Sequence, residues 1–120
     1  MSEHILLVDD DPTILELVCT VLRMGGYEVV AASSGEQALD IAQEDWRIGL
    51  VVSDVVMPGM NGVQLCKNLR ACRPELKCIL MSGYDLGLMA SDGGAHFLPK
   101  PFMPNDLLDK VEAVLGLQPV

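Results

Sequence analysis

Apolar residues in this chain gather into short continuous runs and into helically spaced sets, and the two kinds alternate along its length. The run Ile5, Leu6, Leu7, Val8 is too short for a helix, and predicts a strand over residues 4–8 buried on both faces. Asp11 and Pro12 follow as an N-cap and a first helical residue. Ile14, Leu15, Val18, Val21 and Leu22 then recur at helical spacing until Gly25 and Gly26 stop the helix. Residues 27–32 predict a second strand. The stretch SSGEQALDIAQED predicts a second helix, with Ser34 and Gln37 spaced as a capping box. A third strand over residues 48–53 ends in Asp54. After the turn-rich loop VVMPGMNG, the positions of Val63, Leu65, Cys66 and Leu69 mark a third helix. Residues 78–81 form a fourth strand ending at Ser82 and Gly83, and residues 96–98 a fifth ending near Lys100. Pro104 opens a last helix carrying Leu107, Leu108, Val111, Val114 and Leu115. Between the last two strands, Gly87, Gly93 and Gly94 weaken any helix, so one there is expected to be short or irregular, packing through Leu86, Leu88 and Met89.

Strands alternating with helices predict an α/β fold, a three-layer sandwich in which a five-stranded parallel sheet carries helices on both faces. In such sheets ligands collect beyond the carboxyl ends of the strands. Asp9, Asp10, Asp54, Ser82 and Lys100 all fall at those ends, so residues scattered in sequence are expected on one rim.

At 120 residues, half of them hydrophobic, the chain fits a single domain over residues 1–120 with one sizeable core. A net charge of −9 disfavours direct binding to nucleic acid or anionic membranes. No apolar run approaches the ~18 residues of a membrane span, and the start lacks a signal-peptide layout. Cys19, Cys66, Cys72 and Cys78 form no CxxC pair and share no metal-ligand spacing with His4 or His96. They are expected to be reduced thiols of a cytoplasmic protein, mostly packed in the core. Met57, Met60 and Met103 are likewise expected as core filler.

Crowded carboxylates cannot all stay ionised unless something positive sits among them. A hard divalent cation with oxygen ligands answers this, and Mg²⁺, with Mn²⁺ as an alternative, suits a few carboxylates completed by water and phosphate. Lys100 adds a compact positive charge and Ser82 a hydroxyl donor. Metal, carboxylate nucleophile, ammonium and hydroxyl together describe phosphoryl transfer to an aspartate. Asp11, before Pro12, is adequately explained as a helix cap.

Taken in order, VDDDP, SDVVMPGMNG, LMSG and FLPKPF resemble the receiver domain of two-component response regulators, over residues 5–115. The resemblance implies the flavodoxin-like strand order 2-1-3-4-5. It implies Asp54 as phosphoacceptor, Asp10 and Asp54 as direct Mg²⁺ ligands, Asp9 as a ligand through water, and the Val56 backbone carbonyl as a third protein ligand. It also implies Ser82 and Phe97 as switch residues, Lys100 as the catalytic lysine, and a cis Lys100–Pro101 bond. The implied partner is a histidine kinase or histidine phosphotransfer protein, with a phosphorylation-dependent dimer among the possible outputs. MSGY and FLPKPF are wordings met in the receivers of hybrid histidine kinases.

Three other readings compete. Asp9, Asp11 and Thr13 fit the DxDxT pattern of haloacid-dehalogenase-like phosphatases, whose nucleophile would be Asp9. A degenerate receiver acting only through protein contacts is a second. A flavin-binding flavodoxin is disfavoured, because no Gly/Ser/Thr-rich phosphate loop follows the first strand.

Overall fold

The computed structural model of the chain describes residues 3–83 and 95–116. Its elements run β1 (His4–Val8), α1 (Pro12–Met24), β2 (Glu28–Ala32), α2 (Gly35–Glu44), β3 (Ile48–Asp54), α3 (Gly62–Cys72), β4 (Lys77–Ser82), β5 (His96–Pro99) and α4 (Pro104–Leu115). The irregular helix expected between β4 and β5, with Leu86, Leu88 and Met89, lies outside the described residues.

All five strands pair in parallel, in the order β2-β1-β3-β4-β5. Alternate side chains of each strand enter opposite cores, as the two-residue period requires. Ile5 and Leu7 join α1 and α4 on one side, through Val18, Leu22, Leu107 and Val111. Leu6 and Val8 join α2 and α3 on the other, through Ala38, Ala42, Leu65 and Leu69. β3 breaks this parity at its start. The β1–β3 register slips between His4 and Ile5, so that His4 pairs with Ile48 but Ile5 with Leu50. Gly49 absorbs the extra residue, and Ile48 thereby faces the α2/α3 core while Leu50 faces the α1/α4 core.

Helix termini follow the local chemistry. The Asp11 side chain accepts the Thr13 and Ile14 N–H groups at 2.9 and 3.4 Å, with Pro12 opening α1. Past Gly25, Gly26 takes φ +93°, a conformation that favours glycine. The expected box at Ser34 is only half formed. Ser34 Oγ accepts the Gln37 N–H, but Gln37 Oε1 reaches past Ser34 to Ser33, which offers both its N–H (2.7 Å) and its hydroxyl (3.0 Å). Two donors outcompete one. A complete box stands instead at α3, between Asn61 and Gln64.

One expectation about side chains needs correction. Met57 is buried and Met60 packs against the α2/α3 core, but Met103 is 68% exposed. It occupies the N-cap position of α4, off the helix face that Leu107 and Val111 turn inward. Of the four thiols, Cys19, Cys66 and Cys78 are buried, whereas Cys72, the last residue of α3, is exposed. The Cys66 and Cys78 thiols hydrogen-bond each other, which lowers the Cys66 pKa and, together with burial, raises that of Cys78.

The topology fixes where a ligand can enter. From β1 the chain passes outward to β2, then returns to the opposite side of β1 to form β3. The strand order therefore reverses between β1 and β3, and the crevice beyond their carboxyl ends is the place such sheets leave open.

Candidate functional site

β1 ends at Val8 and β3 at Asp54, so Asp9 and Asp10 are delivered beside Asp54 at the mouth of that crevice. One carboxylate oxygen from each of the three lies within 4.8 Å of the other two. Asp9 is the buried member, 1% exposed, whereas Asp10 is exposed. The Asp9 backbone N–H continues the sheet by donating to Ala32 O at 3.2 Å. Its Oδ1 accepts the Asp11 N–H at 2.9 Å. Its Oδ2 is buried and has no hydrogen-bond partner among the described residues. Burial raises the Asp9 pKa above the ordinary carboxyl value; the Asp11 N–H opposes this, the Asp54 charge adds to it, Lys100 opposes it and Asp10 adds to it.

Lys100 enters from the other side. Pairing of β4 with β5 brings Ser82 opposite Pro99, and the Lys100 N–H donates to Ser82 O at 2.7 Å. From that anchor its Nζ reaches Asp54 Oδ1 at 3.1 Å, with the two side chains 31% and 14% exposed. Ser82, one residue beyond the Met81 that faces Asp54 in register, is buried at the end of β4. The Lys100–Pro101 bond is cis, as the motif implied. Phe97 sits on β5 opposite Leu80 and is partly exposed. Val56 lies on the loop after β3 with its side chain outward. At Gly83 a Cβ would meet nothing within 4 Å among the described residues.

The structure therefore gathers Asp9, Asp10, Asp54 and Lys100, with the end of β4 alongside. Asp11 is not part of the cluster, because its carboxylate caps α1. Oxygen-only donors suit a hard cation, and the buried Asp9 Oδ2, without a partner among the described residues, is the group that such an ion's bound water would satisfy. The residues fit Mg²⁺.

Three further features escape sequence reasoning. Ser53, buried beside the acceptor, donates its hydroxyl to Asp54 O at 2.9 Å. The Gly62 N–H donates to Val55 O at 2.9 Å, tying the start of α3 to the end of β3. Beside the site an apolar groove of about 550 Å³ runs between α1 and the β5–α4 connection, from Ile14 and Leu17 to Lys100 and Phe102. The glycine following a helix cap in MNG was the only one of these with any sequence signal.

Comparison with known proteins bears on the same residues. The family model of the response regulator receiver domain matches residues 5–112. The chain is 35% identical over 119 residues to the DNA-binding response regulator MtrA of Mycolicibacterium smegmatis, covering 96% of this chain and 51% of that protein. It is 38% identical over 122 residues to the sensor kinase CckA of Brucella abortus, covering 98% of this chain and 13% of that protein. The chain thus spans about half, or much less, of these relatives. Among solved structures, the chemotaxis protein CheY4 of Vibrio cholerae superposes with a TM-score of 0.87 at 30% identity, covering 95% of this chain and 99% of that one. The receiver domain of the hybrid histidine kinase CckA gives 0.81 at 37% identity, covering 96% and 99%. A motif set in the right order, a sheet wound 2-1-3-4-5 and an acidic crevice at its switch point converge with these matches: the chain belongs to the response regulator receiver domain family.

Proposed function

We propose that Asp54 accepts a phosphoryl group from a phosphohistidine on a partner, a histidine kinase or a histidine phosphotransfer protein, in a Mg²⁺-dependent reaction. The observation carrying this is the Lys100 ammonium 3.1 Å from Asp54 Oδ1, opposite the Asp9–Asp10–Asp54 cluster. An Asp54 oxygen forms its bond to phosphorus as the bond from phosphorus to the donor's imidazole nitrogen breaks. The donor leaves as neutral imidazole, its proton held on the other ring nitrogen. Asp9, Asp10, Asp54 and the Val56 carbonyl would hold the metal, with Asp9 reaching it through water. When bound, the cation offsets the carboxylate charges and the negative charge on the phosphoryl oxygens. Lys100 steadies Asp54 beforehand and is placed to meet a phosphoryl oxygen afterwards. Ser82 would turn its hydroxyl to the phosphoryl group and Phe97 would repack inward, shifting an existing equilibrium toward the form an output partner binds.

The apolar groove beside Lys100 supports a donor that docks as packed helices. Leu17, 60% exposed on α1, and the Phe102 side of the groove offer an apolar surface within reach of the acceptor.

Incubation with acetyl phosphate and Mg²⁺, followed by mass spectrometry, tests the chemistry. One phosphoryl group is expected on Asp54, lost in Asp54→Asn and on chelation of the metal. Label on Asp9 would favour the phosphatase reading. That reading is weakened by Asp11, whose carboxylate is engaged in capping α1, and by Lys100, which pairs with Asp54. An unlabelled protein that still bound partners would be a degenerate receiver.

A further inference from the structure

Gly62 stands eight residues beyond the acceptor, yet the fold presses its Cα against the acceptor's own backbone. A Cβ there would fall inside the van der Waals envelope of Asp54 O, 3.0 Å from Val55 Cα and 3.1 Å from Asp54 C. The positive-φ glycines described are Gly26, Gly59 and Gly116, so what Gly62 supplies is space and not an unusual conformation. The obstacle is backbone, which no change of rotamer relieves. Nor can α3 easily back away. Its start is closed by the Asn61–Gln64 box, with bonds of 2.9 and 3.0 Å, and Leu65 on its first turn is fully buried.

The same peptide is held from other directions. Ser53 Oγ donates to Asp54 O at 2.9 Å, Val55 N–H donates to Met81 O at 3.1 Å, and Gly62 N–H donates to Val55 O at 2.9 Å. The Asp54–Val55 unit is therefore pinned between β4 and α3. It lies between the Asp54 side chain and the Val56 carbonyl, the two groups of this strand end assigned to the metal.

We infer that Gly62 and Ser53 are positioning residues for the acceptor: the close approach of Gly62 and the Ser53 hydroxyl orient the peptide after Asp54, and so set where Asp54 and the Val56 carbonyl meet the cation. This rests on the reading of Asp54 given above. Neither residue touches the phosphoryl group. Groups that orient metal ligands typically change metal affinity by roughly ten- to a hundredfold when altered.

Calorimetric titration of the metal-free chain with Mg²⁺ measures the effect without any turnover. Gly62→Ala is expected to weaken Mg²⁺ binding by roughly ten- to a hundredfold, and Ser53→Ala by less in the same direction. Both should also slow acetyl phosphate labelling at saturating Mg²⁺. Gly49→Ala is the control, at the end of β3 remote from Asp54, because among the described residues the added Cβ meets only the tip of the Glu3 side chain, at an ordinary 3.8 Å. It should bind Mg²⁺ as wild type does. A role confined to stability would lower the melting temperature of Gly62→Ala but leave the Mg²⁺ affinity of its folded form equal to that of the control. That result overturns the inference. If Gly62→Ala does not fold, Ser53→Ala decides: affinity equal to the control overturns the inference, and weakened affinity supports it. Absence of label on wild-type Asp54 would remove the acceptor reading, while calorimetry would still judge the positioning of the metal site.

Discussion

Asp9 and Asp10 are neighbours with the same side chain, yet the fold treats them differently. Asp10 is exposed; Asp9 is sealed in, with one oxygen on the Asp11 N–H and the other without a partner among the described residues. Burial raises the Asp9 pKa, and the direction of its effect on stability follows. The folded chain holds this proton more tightly than the unfolded chain, so stability falls as pH rises from the unfolded value near 3.8 through the raised folded value. At neutral pH the metal-free fold carries the full penalty. Asp9→Asn keeps an acceptor for the Asp11 N–H and removes the buried charge. Its metal-free form should melt above wild type at pH 7, by roughly 4 °C for each kcal/mol relieved, and the gap should close at pH 3. Added Mg²⁺ should stabilise wild type and not the variant. Melting curves at the two pH values, with and without Mg²⁺, check this. The four-residue convergence was legible because strand ends are legible. The inequality of Asp9 and Asp10 was not, since it depends on what packs over the end of β1. Ser53 was hidden for a similar reason: its work is on a neighbour's backbone, which leaves no spacing pattern, and the glycine after the cap in MNG marks a helix start without showing what that glycine presses against.

Among the elements, those with a clear period were read to within a residue or so, and the errors arose where two local partners compete. Ser34 and Gln37 have box spacing, but a second serine captured the glutamine. Met103 looked like core because methionine often is, yet Pro104 sets the helix start and leaves Met103 outside it. The slip at Gly49 could not be anticipated, because a bulge is a property of two strands and not of one. Arg73 shows the same limit over a longer range. From the end of α3 its guanidinium donates to Trp46 O at 3.1 Å and to Ile48 O, holding the α2–β3 connection at the end of β3 remote from Asp54. Arg73→Ala leaves those carbonyls short of a donor and should lower stability by about 2 kcal/mol. Urea unfolding measures this. Acetyl phosphate labelling of the folded variant should be unchanged, because the other end of β3 stays pinned by Met81 and Gly62.

At the scale of the whole molecule, chemistry and recognition occupy adjoining but separate surfaces. The carboxylates sit at the switch point of the sheet, while the groove beside them is built from α1 and the β5–α4 connection on the face of the α1/α4 core. A small donor such as acetyl phosphate needs only the first surface; a protein donor needs both. Leu17 separates the two requirements, being exposed on the groove and absent from the acidic cluster. Glutamine in its place keeps helix propensity and removes the apolar contact. Leu17→Gln should therefore be labelled by acetyl phosphate at the wild-type rate. Its phosphotransfer from a phosphorylated histidine donor should fall roughly tenfold in kcat/KM, the scale of losing one apolar anchor from an interface. Parallel time courses with the two donors read both numbers. Equal losses with both donors would place Leu17 in the folding of the acceptor site, and equal retention would move the docking surface away from α1.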